Sequence, residues 1–183
     1  MAAHWYTLHV KPHKERFVHE RLLSPEGIPY LGELAGERPI EAFFPAVRVK
    51  PKNPRAAKIR PYFPGYLFVH ADLEALGDNA FSWIPGAHGL VRFGDVPAIV
   101  PETLIRELKQ RMVQIEEAGG LAVATLKPGD RVRVVSGPFA GYEAIFDAQL
   151  PGRERVQVLL AFLSKHPQRV EMDLEDVEKV KKS

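Results

Sequence analysis

No cysteine occurs among the 183 residues of this chain. Disulfides, cysteine-ligated zinc and thiol nucleophiles are therefore excluded. Long apolar runs are missing as well: no segment approaches the roughly 18 consecutive apolar residues of a membrane-spanning helix. The first residues lack the basic region and apolar stretch of a secretory signal, so a soluble, cytoplasmic, membrane-free protein is expected. Strong net charge is absent; +2 is too mild to coat nucleic acid electrostatically. Catalytic signatures are also missing. His4, His9, His13, His19, His70, His88 and His166 show no His-Glu-x-x-His or similar ligand spacing. There is no phosphate-binding loop and no Gly-x-Ser-x-Gly. Gly65, Gly86, Gly89 and Gly94 are scattered and form no dinucleotide fingerprint. These absences point to a binding protein with no metal or cofactor, and away from an enzyme.

What the chain does have is enough apolar material, 45% of its residues, for one or two small cores. Trp5 to Val10 reads as a first strand. Pro12 suits the first turn of a helix in which Phe17, Val18, Leu22 and Leu23 recur at helical spacing. Phe43-Phe44 and Val47-Val49 read as a second strand, Tyr66 to Val69 as a short buried one, and Leu90 to Phe93 as a fourth, with Pro97 to Val100 beside it. A second helix starts at Pro101, with Leu104, Ile105, Leu108, Met112 and Ile115 on one stripe. This order predicts an α+β fold, an antiparallel sheet with packed helices, over residues 1–117. Ala118-Gly119-Gly120 opens a flexible linker expected to run to residue 125.

Charge is unevenly spread. Arg48, Lys50, Lys52, Arg55, Lys58 and Arg60 follow one another with no acid among them. This stretch is either a solvated hairpin loop or a contact for nucleic acid or polymerase. Trp83, before the turn Ile84-Pro85-Gly86, either stacks on an unpaired base or anchors the core. Lys11, His13 and Lys14, after the first strand, are placed to hold phosphate. Phe63-Pro64-Gly65-Tyr66 presents aromatic rings at a Pro-Gly turn, a feature of interfaces as well as of strand starts.

Residues 126–183 open with Pro128-Gly129-Asp130 turn chemistry and with Val132 and Val134 alternating against Arg131 and Arg133. Gly137-Pro138 and Gly141 then bracket Phe139 at a loop tip. The segment Lys127 to Phe146 resembles a KOW motif, a small β-barrel. Ahead of it stand His4-Trp5-Tyr6-Thr7-Leu8-His9-Val10, Tyr62-Phe63-Pro64-Gly65-Tyr66-Leu67-Phe68-Val69 and Leu90-Val91-Arg92-Phe93-Gly94 to Pro101. In this order they resemble the NusG family of transcription elongation factors over nearly the whole chain. The arm Val91 to Pro101, and Ala144, look more like the specialised paralogue RfaH.

The resemblance implies a factor that binds the clamp helices of the largest catalytic subunit of RNA polymerase. His9, Phe63, Pro64, Gly65, Tyr66, Phe68, Ile105 and Leu108 would form the apolar groove. Alongside this resemblance, Lys11, His13, Lys14 and Trp83, read from their own chemistry, are the nucleic-acid candidates, with non-template DNA as the expected partner. The KOW domain would recruit a ribosomal small-subunit protein or the termination factor Rho through Val135, Ser136, Gly137, Pro138, Phe139, Ala140 and Gly141. The polar stretch by which RfaH touches the polymerase gate loop falls on Gly77-Asp78-Asn79-Ala80, which reads as a plain turn. A monomer that modulates pausing or termination is expected. Two other readings stay open: an operon-specific RfaH-type antiterminator, and an RNA- or ribosome-binding KOW protein. In RfaH the C-terminal module adopts either an all-helical or a barrel form. Here Val156 to Leu163 carries both strand alternation and a helical stripe, and a stable barrel is the expectation.

Overall fold

The computed structural model describes residues 3–24, 40–50, 55, 59–122 and 151–165. Its centre is β1 (His4–Val10), buried on both faces and hydrogen-bonded along both edges. One edge pairs antiparallel with β5 (Tyr66–Ala71), from His4 opposite Ala71 to His9 opposite Tyr66. The other edge takes β6 (Ala87–Leu90) near its end and β9 (Ile99–Val100) near its start. β2 (Glu41–Phe43) pairs with β5 and completes the five-stranded sheet. Side chains alternate across a strand, so β1 feeds two cores. Tyr6, Leu8 and Val10 join Val18, Leu67, Val69, Phe81 and Ile84. Trp5 joins Phe68, Leu104, Ile105 and Leu108 on the opposite face.

Helix α1 (Glu15–Leu23) packs on the first face through Val18, while Phe17 and Leu23 remain 40% and 54% exposed. The short helix α2 (Leu73–Leu76) is capped by Asp72, whose carboxylate accepts from the amides of Glu74 and Ala75. A 3₁₀ turn over Ala80–Trp83 follows. The long helix α3 (Glu102–Glu117) covers the second face with Leu104, Ile105, Leu108 and Ile115, as its apolar stripe requires.

Several boundaries differ from those read in the sequence. The stretch around Phe43 to Val49 forms two strands in different sheets, β2 and β3 (Ala46–Lys50). Pro45, which has no amide hydrogen, separates them, and its carbonyl accepts from Tyr62 instead. β3 pairs with β4 (Ile59–Pro61), and most of the basic loop between them lies outside the described residues. Leu90 to Phe93 likewise divides into β6 and β7 (Arg92–Phe93), the latter paired with β8 (Val96–Pro97). The expected linker begins as structure. Gly119 and Gly120, both at positive φ, donate to Glu116 and Ile115 and close α3. Leu121–Ala122 then forms β10, parallel to β3.

The largest departure is at the C-terminal end. Val156 to Leu163 is not a strand but lies within helix α4 (Gly152–Lys165). Arg155, Leu159, Phe162 and Leu163 form its buried stripe. Three of them join the core cluster that holds Phe63, Ile105 and Leu108. Burial of that stripe against an apolar surface settles a pattern that local periodicity left open. Residues 123–150 and 166–183, where the KOW strands are expected, lie outside the described residues.

Candidate polymerase-binding groove and basic aromatic face

The apolar residues expected to form a groove are brought together, and α4 lies over them. Phe63 and Phe68 meet edge to face, with ring centroids 5.9 Å apart, and Tyr62 meets Phe63 at 5.1 Å. Ile105 and Leu108 face them from α3 in the same cluster. Leu159, Phe162 and Leu163 of α4 complete it. Phe63, Phe68 and Leu108 are fully buried, and Ile105 is 2% exposed. Phe63 is expected to line an open groove for a partner; here it is covered, because an amphipathic helix of the same chain occupies the groove.

The turn from Tyr62 to Gly65 is held from two sides. From α1, the Glu15 carboxylate accepts the Gly65 amide at 2.8 Å. Gly65 itself needs φ +83, a conformation glycine adopts at little cost. From α4, Arg155 Nε donates to the Tyr62 carbonyl at 2.9 Å, and its guanidinium sits 3.9 Å from the Tyr62 ring centroid. Arg155 is only 4% exposed. A buried cation is tolerated where a carbonyl and an aromatic face replace its water. Gly152 starts the helix against Pro64: a Cβ there would lie 2.7 Å from the proline Cδ. Glu15, Gly152 and Arg155 are not singled out in the sequence, where Tyr62 stands only as the first residue of a motif. Arg155 could have been found, since it precedes Leu159 by one helical turn.

At the groove's margin, His9 stacks on Tyr66 with centroids 4.8 Å apart and planes 13° from parallel. His9 therefore acts as an aromatic ring. Burial, and then the neighbouring His88, lower its pKa from the usual 6.5, which favours the neutral imidazole. Burial pushes the Tyr66 phenol up from 10.0.

The nucleic-acid candidates gather on the opposite face of the sheet. Lys11, His13 and Lys14 are exposed between β1 and α1, and His13 holds φ 63. Lys11 donates its amide to the Gly86 carbonyl at 2.8 Å, which ties this loop to the turn after Trp83. Trp83 is 76% exposed, so it does not anchor the core. Phe17, read in the sequence as part of the helix's apolar stripe, instead adds a half-exposed ring here, with Lys14 Nζ 5.5 Å and Arg21 Cζ 5.0 Å from its centroid. Gly77 to Ala80 forms the expected turn. It is pinned by Arg92, which donates to the Asp78 and Asp95 carbonyls at 2.8 Å each. Among the described residues no cluster of three His, Asp or Glu side chains can hold a metal, and no helix is long and apolar enough to cross a membrane. The surface from Val135 to Gly141 lies outside the described residues.

Comparison with known proteins decides the family. The family model "Transcription termination factor nusG" matches residues 3–109, more than half of the chain. The chain belongs to the NusG family. It is 28% identical to the transcription termination/antitermination protein NusG of Deinococcus radiodurans, covering 98% of this chain and 100% of the relative. It is 32% identical to the protein of that name from Thermus thermophilus, over 64% of this chain and 66% of the relative. With the Pseudomonas aeruginosa NusG it shares 25% identity over 98% of this chain and 100% of that one. The matched span contains the whole five-stranded sheet and the first half of α3, with Ile105 and Leu108, so the groove floor belongs to the family's shared domain. Helix α4 lies beyond it.

Proposed function

We propose that this chain is a transcription elongation factor that binds RNA polymerase by seating the clamp helices of its largest catalytic subunit in the groove floored by Phe63, Phe68, Ile105 and Leu108. One observation carries this reading. The groove already holds a helix, α4, through Leu159, Phe162 and Leu163, so its shape and apolarity suit a helical partner. Binding the elongating state of the polymerase better than the paused one would shift that equilibrium and change pausing or termination. On the opposite face, Lys11, His13, Lys14 and Trp83 meet the single-stranded non-template DNA, cations on phosphate and the indole on a base. Once α4 has left the groove, residues 126–183 act as a KOW domain that recruits a ribosomal small-subunit protein or Rho through Val135 to Gly141.

The seating of α4 favours a second, narrower reading, that of an operon-specific antiterminator of the RfaH type. While α4 is in place the groove is closed, and the polymerase enters only after the helix leaves. The two occupants are mutually exclusive, which gives the test. Amide exchange of residues 153–165 is measured in the full-length chain before and after addition of core RNA polymerase. Binding accompanied by loss of protection in α4 is expected. Binding with α4 still protected places the polymerase contact elsewhere and rejects the groove. For the narrower reading, a DNA element that restores binding at selected promoters is required; equal binding to every elongation complex rejects it.

A further inference from the structure

Two adjacent glycines after α3 read in the sequence as the start of a flexible linker, and the structure uses them as a clasp. Gly119 and Gly120 hold φ +81 and +97, a region that other residues adopt only with strain. Gly120 passes so close to β3 that a Cβ on it would lie 2.7 Å from the Arg48 carbonyl oxygen. The chain then pairs with β3 in parallel, Leu121 with Val49 and Ala122 with Lys50. A side-chain contact closes the same corner: Arg48 Nε lies 3.2 Å from the Glu116 carboxylate in the last turn of α3. Val47 and Val49 of β3 and Ile115 of α3 are buried there. The parallel register also fixes a direction. β3 runs from Ala46 to Lys50 and leads into the basic run through Lys52, Arg55 and Lys58. β10 runs the same way, so the chain leaves the first domain at the end of β3 from which the basic run departs.

We propose that Gly120 and β10 form a fixed anchor that stays paired when α4 leaves the groove. The C-terminal module is then handed out from the edge of β3, alongside the basic run, and not from the end of α3. The inference rests on the reading above in one respect, that α4 leaves the groove. α4 is seated by its own stripe of Arg155, Leu159, Phe162 and Leu163. The anchor is held by backbone pairing with β3 and by the closure of α3, through the Gly119 and Gly120 amides on the Glu116 and Ile115 carbonyls. Unseating α4 removes none of these hydrogen bonds. Val47 and Ile115 belong to the same core cluster as the α4 stripe, which opens the persistence of the anchor to direct test. The consequence is geometric. A tethered module acts at an effective concentration set by where its tether starts and by how far it must span. A start at Ala122 brings the module and the basic run to one side of the domain, where a single assembly can meet both.

The chain has no cysteine, so a single nitroxide can be attached through Ile59→Cys, at an exposed position on β4. Neighbouring strands lie about 4.8 Å apart, which puts β10, two strands away, about 10 Å from the label. NMR amide signals of Leu121 and Ala122 are recorded in the labelled full-length chain, alone and with Phe162→Asp or Gly120→Ala. Loss of amide protection over residues 153–165 establishes that Phe162→Asp releases α4; Leu159→Asp is added if it does not. The label should bleach both signals in the parent chain and equally in the chain with α4 released. In Gly120→Ala the signals should return, with exchange of amides 119–122 at least about tenfold faster. Signals that return on release of α4 overturn the inference, because β10 would then depend on α4. Bleaching and exchange unchanged in Gly120→Ala overturn it as well, since the glycine would hold nothing. Should Gly120→Ala not fold, the comparison with released α4 decides alone. If α4 stays protected with both aspartates in place, the reading that the groove opens fails, and the inference with it.

Discussion

Truncating Phe162 to alanine should open the groove and tighten binding to RNA polymerase. Phe162 is fully buried in the cluster it shares with Phe63, Ile105 and Leu108. Removing a buried phenylalanine side chain costs about 3–5 kcal/mol. The loss falls on the closed state alone, because α4 released from the groove no longer makes the contact. Taking about 3 kcal/mol, and 1.4 kcal/mol per factor of ten, the ratio of open to closed molecules rises roughly 100-fold. Affinity for a partner that needs the open state rises by the same factor, until the open form dominates and the gain saturates. Two measurements are paired: amide exchange across residues 153–165, and equilibrium binding to core RNA polymerase. Faster exchange in α4 together with tighter binding is expected. Faster exchange with unchanged or weaker binding would refute the reasoning, since the groove would then be open and still not the polymerase site.

Arg155→Met keeps the stem but removes the hydrogen bond to Tyr62 and the charge above its ring. The loss should be about 1–3 kcal/mol of α4 seating, read as faster exchange of α4 amides; unchanged exchange would show that the apolar stripe suffices alone. Trp83→Ala, at a 76% exposed position, should change unfolding free energy by less than about 0.5 kcal/mol. It should weaken binding of a single-stranded oligonucleotide by about 1–3 kcal/mol, and undiminished binding would remove the indole from the nucleic-acid face. His9 has its pKa lowered from 6.5 on folding, so the unfolded chain takes up the proton first. Its contribution to stability is therefore complete above about 6.5 and is lost as pH falls through the lower folded value. An NMR titration of the His9 ring with a midpoint at or above 6.5 would contradict this.

The shared domain was legible because its residues carry one period each. β1 alternates between two cores, α3 keeps a single apolar stripe, and Phe63, Phe68, Ile105 and Leu108 meet where the order of elements brings them. Strand boundaries were less legible where a backbone feature intervenes: Pro45 divides β2 from β3, and the hairpin at Arg92 and Pro97 takes residues that read as one strand. Trp83 could not be assigned in advance, since an indole before a turn suits core and surface equally; only its exposure decides. His88 carried no signal at all, because its partner His9 is distant in sequence and close only through β-pairing.

The run from Val156 to Leu163 was illegible for a deeper reason. Its residues satisfy strand alternation and helical spacing together, and helix propensities differ by at most about 0.7 kcal/mol per ordinary residue. Burying one large apolar side chain contributes about 1.5–3 kcal/mol. The three at Leu159, Phe162 and Leu163 therefore outweigh any local preference, and the surface they find sets the conformation. Here that surface is the groove, reached only as a helix with the Arg155 guanidinium over the Tyr62 ring. In a strand, Leu159 and Phe162 would point to opposite faces, as would Phe162 and Leu163, and the groove would lose its occupant. The conformation of this segment and the availability of the groove are thus a single equilibrium. A partner that takes the groove also removes the interaction that makes the segment helical.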